Sequence, residues 1–323
     1  LFEPTTFSVA LCTYQGEQYL QDQLDSIANQ TKLPDEIVIR DDGSTDRTIE
    51  ICKTFASRCP IPVHILEGGQ RLGVASNFFT CAMACSSDWI VFADQDDYWF
   101  SDRLNRFTDA IANHPEAVAI FSNGQVTDEQ LQPVGQTLWS AHYFTKQEQR
   151  RVQNGHADRV LARHVFVTGA ALIVRRDWMS KLPWPEEHFF HDEWLGWFAG
   201  NHLRLLSEPT LYYRQHKSQQ TGVSTTVLAH LNNFLVSQRA ARDLLNRDLI
   251  RYAELRNQLE CAGYYDLATL VSQKSAFIAW RLSLARHFWK RWPQVFKKLL
   301  HGDYALYSIP HHSIIKDLLL SQL

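Results

Sequence analysis

Two acidic clusters stand out in the chain, Asp41-Asp42 and Asp94-Gln95-Asp96-Asp97. Each follows directly on a short β-branched or aromatic run, Glu36-Ile37-Val38-Ile39-Arg40 and Trp89-Ile90-Val91-Phe92-Ala93, of the kind that forms buried strands. A strand that ends in carboxylates delivers them to the carboxyl edge of a sheet, where open α/β folds bind their ligands. Carboxylates crowded at one edge repel each other unless a cation or hydrogen-bond donors join them. Hard oxygen ligands with few other partners suit Mg²⁺ or Mn²⁺ held partly by a phosphorylated substrate. The pattern predicts an enzyme that handles a nucleotide-diphosphate compound through a divalent metal.

The elements that must position these carboxylates alternate. Phe7-Ser8-Val9-Ala10-Leu11 reads as a first buried strand, Thr13 to Gly16 as a turn, and Glu17 to Asn29 as a helix with Leu20, Leu24 and Ile27 on one face. After the strand that ends at Arg40, Asp42-Gly43-Ser44-Thr45-Asp46 is a turn and N-cap sequence for a helix from Arg47 to Arg58. Val63 to Leu66 is a third strand, and a helix from about Ala75 to Cys85 precedes the second acidic cluster. Strands alternating with helices predict an α/β fold with a doubly wound, mostly parallel sheet. Further on, Ser101 to Asn113 reads as a helix and Val118 to Ser122 as a strand. Gly124 to Arg163 reads as loops and short helices, and Val165 to Val174 as a strand pair or bent strand around Gly169. A helix beginning at Asp192 follows, and two strands, Leu203 to Leu206 and Leu211 to Arg214, close the sheet.

From Ser224 leucines recur at helical spacing, so we expect a catalytic domain over residues 1–223 and a C-terminal α-helical region over 224–323. Between Leu267 and Gly302 there is no Asp or Glu, while Lys274, Arg281, Arg286, Lys290, Arg291, Lys297 and Lys298 share the stretch with Trp280, Phe288, Trp289, Trp292 and Phe296. Such a stretch is either an anchor on a membrane surface, an oligomer contact, or a helical packing layer with a solvated basic face. No apolar run reaches membrane-spanning length and no signal peptide is visible. The formal charge of −3 gives no argument for a nucleic-acid partner. The six cysteines form no CxxC pair, which points to reduced, mostly buried thiols in a cytoplasmic protein rather than to zinc or a disulfide framework. If the basic tail meets lipid, that protein would sit peripherally on the inner face of the cell membrane.

Five ordered blocks carry a resemblance. Val9 to Gly16, Asp41 to Asp46 and Phe92 to Trp99 look like family 2 glycosyltransferases with the GT-A fold. His191-Asp192-Glu193-Trp194-Leu195 and Tyr213-Arg214-Gln215-His216 resemble later signatures of a bacterial polysaccharide subset often labelled rhamnosyltransferases. The resemblance covers roughly residues 7–222. It implies an inverting, metal-dependent transferase taking a sugar, L-rhamnose in that subset, from a UDP- or dTDP-sugar to a growing cell-surface polysaccharide or lipid-linked glycan.

Residue by residue, the resemblance gives Thr13 and Tyr14 to the nucleotide, with Tyr14 stacking on the base. Asp41 and Asp42 would accept the imide N–H of uracil or thymine, and Arg71 and Asn77 would meet ribose or phosphate. Asp94-Gln95-Asp96 is the counterpart of the DxD motif: Asp94 would reach ribose or a metal-bound water, and Asp96 the cation. Asp97 has no assigned role. Asp192 would be the catalytic base that takes the acceptor hydroxyl proton, with Glu193 as the rival in the same motif. Gly169 would let the acceptor approach the backbone, and Trp194 would stack on an acceptor sugar or belong to the core. Arg214 and His216 would hold the diphosphate in a loop running through Lys217 to Gly222, with His216 also able to complete the metal shell. The usual asparagine of that loop is replaced by Gln219 and Gln220. Two other readings are a nucleotidyltransferase and a non-catalytic glycan- or lipid-binding module. The first is weakened because Thr13 to Glu17 contains no Lys or Arg to hold a phosphate.

Overall fold

The computed structural model describes residues 5–66, 71–185, 188–217, 219, 238–285 and 287–319. They fall into two compact units. One is Leu1–Gly155 with Phe166–Val223, and the other is His156–Val165 with Ser224–Leu323. The expected boundary near residue 224 lies outside the described residues.

The first unit is built on a nine-stranded sheet. Its strands are β1 (Phe7–Thr13), β2 (Glu36–Asp41), β3 (Val63–Leu66), β4 (Trp89–Ala93), β5 (Tyr98–Trp99), β6 (Ala119–Thr127), β7 (Pro133–Thr137), β8 (Leu172–Arg175) and β9 (Leu203–Arg214). The order is β3-β2-β1-β4-β8-β6-β9-β5, and β7 pairs with the C-terminal part of β6, past the segment paired with β8. β1 to β4, β6 and β9 run one way, while β5, β7 and β8 run against their neighbours. The sheet is thus mostly parallel, and every residue of β1, β2 and β4 is buried, as strands covered on both faces require. Helices α1 (Leu20–Ala28), α2 (Thr48–Arg58) and α3 (Val74–Met83) connect the parallel strands, and α4 (Arg103–Asn113) follows β5. Leu20, Leu24 and Ile27 form the buried face of α1, as their spacing predicts.

Register is what brings the chemistry together. Thr13 at the end of β1 pairs with Asp41 at the end of β2, and Leu11 pairs with Ala93, so Asp94 leaves β4 at the same edge. Three details differ from the sequence reading. The closing strands are one continuous strand, Leu203–Arg214, whose register shifts against β6 absorb the Glu208-Pro209 interruption. The region before β8 is a single 3₁₀ turn, Gly169–Ala171, rather than a second strand. The stretch Gly124 to Arg163 holds the end of β6, all of β7 and three short helices, Leu138–Ala141, Lys146–Gln153 and Ala157–Leu161. Reciprocal capping at Thr145 and Glu148 starts the second of these, a T-x-x-E signature visible in the sequence.

The second unit contains the helices Gln238–Cys261, Tyr265–Leu282, Phe288–Leu300, Asp303–Tyr307 and Pro310–Leu319. Phe277, Leu284, Val295 and Tyr304 form a buried cluster within it. Asp317 ties its ends: Arg281 grips the carboxylate through two nitrogens, each at 2.8 Å, and Tyr304 Oη donates to it at 2.7 Å. No helix among the described residues is long and apolar enough to cross a membrane.

Candidate active site

A cavity of about 250 Å³ opens at the carboxyl edge of β1, β2 and β4. Thr13, Tyr14, Asp42, Asn77, Asp94, Asp96 and His216 line it, together with Cys12, Gln15, Val74, Phe78, Gln95, Phe190, Tyr213 and Gln219. Seven of the residues nominated from the sequence therefore share one space.

The loops after β1 and β2 supply the residues expected to meet the nucleotide. Asp41 is turned into its own loop, accepting from the N–H groups of Gly43 and Ser44 and from the hydroxyls of Thr13 and Ser44. It lies outside the cavity lining. With both oxygens committed, it shapes the turn instead of reading a base. Asp42 lines the cavity. Its Oδ1 accepts from Leu72 N–H at 2.7 Å and its Oδ2 from Gly73 N–H at 2.9 Å, which docks the loop before α3. Arg40, buried at the end of β2, donates to Asp42 Oδ1 and to Asn77 Oδ1 and fixes both. Arg40 was missed in the sequence, although an Arg closing an otherwise apolar strand is a visible signal. The Arg71 guanidinium lies 4.1 Å from the Tyr14 ring centre, on the face of the ring and outside the cavity lining.

The acidic loop after β4 divides its labour. Gln95 grips the backbone of Tyr14, and a Cβ at Gly16 would fall 2.2 Å from Gln95 Oε1, so only glycine permits that approach. Asp94 is pushed up to about 8 by burial and by the neighbouring Asp96 and Asp192. Three carboxylates are thus close enough at this edge to act on one another. Asp97 is fully buried and accepts the Arg214 N–H at 3.1 Å. Burial, with Asp96 and Asp94 close by, holds its carboxyl well above the usual range. Its role is to anchor the end of β9. Arg103, also fully buried, is pushed down to about 9 by burial and donates to Thr210 and to the Ala170 carbonyl.

Asp96 and His216 meet across the cavity, Oδ2 to Nε2 at 2.8 Å, and the imidazole rests on the Tyr19 ring. Among the described residues no group of three or more His, Cys, Asp or Glu converges to hold a metal ion. A carboxylate and an imidazole within contact of each other do fit a divalent ion whose remaining positions are filled by phosphate oxygens and water. Arg214, expected on the diphosphate, is 3% exposed and its donors are committed elsewhere. Nε donates to the Asp96 carbonyl, Nη1 to the Glu129 carbonyl and Nη2 to Asp22, while the guanidinium stacks over Tyr19. It holds the loop of Asp96 in place and is not part of the cavity lining. Gln219 folds back to donate to the Arg214 carbonyl. Ser218 and residues 220–222 of the expected loop lie outside the described residues.

Asp192 sits in the first turn of the helix His191–Ala199. Its Oδ2 accepts from Gly169 N–H at 2.8 Å and its Oδ1 from Glu193 N–H at 2.7 Å. It is partly exposed, and its charge reaches Asp94. Gly169 has a different task from the one expected: it is buried, and a Cβ there would lie 2.4 Å from His191 Nε2. Its bare backbone admits the His191 ring and presents an N–H to Asp192, instead of receiving an acceptor. Neither Asp192 nor Glu193 belongs to the cavity lining; what separates them is exposure, since Glu193 is buried while Asp192 is partly exposed. Trp194 is fully buried against Phe189 and Phe198, with Nε1 donating to the Pro183 carbonyl, and belongs to the core. Phe190, 45% exposed, lines the cavity alongside Tyr14, Phe78 and Tyr213.

The model of the family named glycosyl transferase family 2 matches residues 8–178, just over half of the chain. The dTDP-rhamnosyl transferase RfbG of Shigella flexneri is 26% identical over 232 residues, covering 68% of this chain and 76% of that protein. An uncharacterized protein of Mycobacterium tuberculosis is 26% identical over 214 residues, 65% of this chain and 58% of its own length. The crystal structure of S. aureus TarS 1–349 in complex with UDP-GlcNAc has a similar fold, with a TM-score of 0.50 at 19% identity over 79% of this chain and 73% of that one.

Proposed function

The chain belongs to glycosyl transferase family 2 and is a glycosyltransferase with a GT-A type fold; from that premise we propose that it is an inverting, metal-dependent enzyme using a UDP- or dTDP-sugar. The observation that carries the reading is the shared cavity, lined by Tyr14, Asp42, Asn77, Asp94 and the Asp96–His216 pair, with Asp192 outside the lining but close enough for its charge to act on Asp94.

In this reading the base stacks on Tyr14, replacing Arg71 on that face. Asp42 Oδ2, which accepts one bond from Gly73 N–H, keeps a lone pair for a pyrimidine imide. Asp94 meets the ribose. Asp96 and His216 would hold Mg²⁺ or Mn²⁺ together with the diphosphate; when bound, such an ion neutralises charge that develops on the leaving nucleoside diphosphate. Asp192 takes the proton of the acceptor hydroxyl as that oxygen attacks the anomeric carbon from the face opposite the phosphate. Two backbone N–H groups hold its carboxylate in one orientation, so little ordering is left for the reaction itself. Phe190 would cover one side of the sugar and exclude water.

The likeness to RfbG favours L-rhamnose as the sugar and a bacterial surface polysaccharide, O-antigen among them, as the destination. A lipid-linked acceptor would be met at a membrane surface, which the basic aromatic stretch beyond Leu267 suits. The test is donor hydrolysis and transfer across a panel of UDP-, dTDP- and GDP-sugars, with Mn²⁺, with Mg²⁺ and with chelator. Turnover confined to pyrimidine nucleotides and lost on chelation supports the reading. Turnover of GDP-sugars alone, or full activity in chelator, refutes it.

A further inference from the structure

We propose that the helix Phe288–Leu300 is a docking surface for an anionic lipid bilayer. It carries Trp289 at 80% exposure, Trp292 at 48%, Phe296 at 45%, Leu299 at 41% and Leu300 at 71%. At ~100° per residue these five fall within an arc of roughly 100° on the helix, so they form one ridge and not scattered surface residues. The Trp292 and Phe296 rings stack at 5.8 Å along it.

The ridge is not an inner face waiting for its own core. The same helix already buries Val295, at 1% exposure in the cluster with Phe277, Leu284 and Tyr304, and Arg291, at 3%. Its packing need is met on that side, which leaves the aromatic side turned outward. Contiguous exposed apolar surface of this kind marks an interaction site.

Charge selects the occupant. Lys290 and Lys297 are exposed and lie about 80–100° around the helix from Trp289, bordering the ridge. Between Leu267 and Gly302 no Asp or Glu offsets them, although Lys298 reaches Asp303 just beyond, at 2.7 Å. Indole rings with cations beside them are what a helix lying in the plane of an anionic interface requires: apolar rings enter the headgroup boundary while lysines meet lipid charge. Pairing with a second copy by two-fold symmetry would set this basic helix against itself, bringing like charges together. The inference does not depend on the catalytic reading, since none of these residues lines the cavity.

The test uses the full chain in co-sedimentation with vesicles of phosphatidylglycerol and phosphatidylethanolamine, against vesicles of phosphatidylcholine alone. Wild type should bind the anionic vesicles at least ~10-fold more tightly, with binding weakened by salt. Trp289→Glu/Trp292→Glu should lose most of that binding, and Lys290→Gln/Lys297→Gln should lose the preference for anionic lipid. Both positions of each pair are exposed, so an unchanged thermal midpoint and unchanged donor hydrolysis are expected in both variants. Absence of vesicle binding by wild type overturns the proposal, as does equal binding by the tryptophan variant. A dimer in analytical ultracentrifugation that the tryptophan variant dissociates also overturns it, by assigning the ridge to a second copy.

Discussion

The side chain of Gln95 closes a ring with the backbone of Tyr14: Oε1 accepts the Tyr14 N–H at 2.8 Å, and Nε2 donates to the Tyr14 carbonyl at 2.9 Å. The middle residue of the acidic motif thus fixes the loop that carries the proposed base-stacking ring, coupling the loop after β4 to the loop after β1. Each bond contributes about 0.5–1.5 kcal/mol net, so Gln95→Ala should raise the donor KM by roughly 5- to 100-fold while kcat changes little. Gln95→Glu keeps the acceptor and loses the donor, and sets a carboxylate oxygen against the Tyr14 carbonyl. It should bind the donor no better than the alanine variant. Steady-state kinetics with the donor varied decide this. A loss confined to kcat would show that Gln95 acts on the chemistry and not on the loop.

Arg214 is one of the residues for which the motif and the structure diverge. Its guanidinium joins Asp96, Glu129 and Asp22 across three parts of the chain. Removing it leaves the partly buried carbonyls of Asp96 and Glu129 and the half-exposed Asp22 carboxylate without their donor, at a cost of roughly 2–4 kcal/mol for three hydrogen bonds. Arg214→Met should therefore lower the thermal midpoint on the order of 10 °C. Arg214→Lys should restore only part of it, because one ammonium cannot reproduce the fork. If instead the variant melts like wild type and loses UDP affinity, the side chain swings into the cavity and the diphosphate role stands.

How much of this was legible in the sequence depended on distance along the chain. The alternation of strands and helices, the edge at which Asp42, Asp94 and Asp96 emerge, and the grouping of Tyr14, Asn77 and His216 all follow from local patterns that parallel register then superposes. What local pattern cannot show is which partner consumes a side chain. Asp41 and Asp42 are neighbours of one type, yet Asp41 closes its own turn while Asp42 reaches the cavity. Gln95 finds Tyr14, 81 residues away, and Arg214 finds Asp22, 192 residues away. Trp194 and Phe190 could each have been the exposed aromatic. Only the packing of Phe189 and Phe198 around the indole assigns it to the core.

Asp192→Asn should remove transfer and spare donor binding. A positioned base contributes about 10²- to 10⁴-fold, so kcat should fall by that range while the affinity for UDP or dTDP, measured by calorimetry, stays within a few-fold. The carboxylate hydrogen-bonds the Gly169 and Glu193 N–H groups and reaches the nucleotide residues only through its charge on Asp94, which is why the two effects should separate. Transfer at the wild-type rate would reassign the base.

His191 makes the same region sensitive to acid. The ring is buried, stacked on Phe78 at 4.0 Å and tilted against Phe92 at 5.0 Å, and burial pushes it down to about 4 despite the opposing charge of Asp192. An unfolded chain takes up this proton at the ordinary histidine value of 6.5, so between pH 6.5 and about 4 the unfolded state binds more protons. The stability contribution is therefore complete above pH 6.5 and is lost as the pH falls toward 4, reaching about 2 kcal/mol of loss by pH 5. Urea unfolding at pH 7 and pH 5 measures it. His191→Leu replaces the ring with an apolar group that cannot titrate, and the pH 7 to pH 5 difference should shrink by that amount whatever the variant's stability at pH 7. An undiminished difference would place the acid-sensitive group elsewhere and leave the His191 ring charged within the fold, which its setting between two phenyl rings opposes.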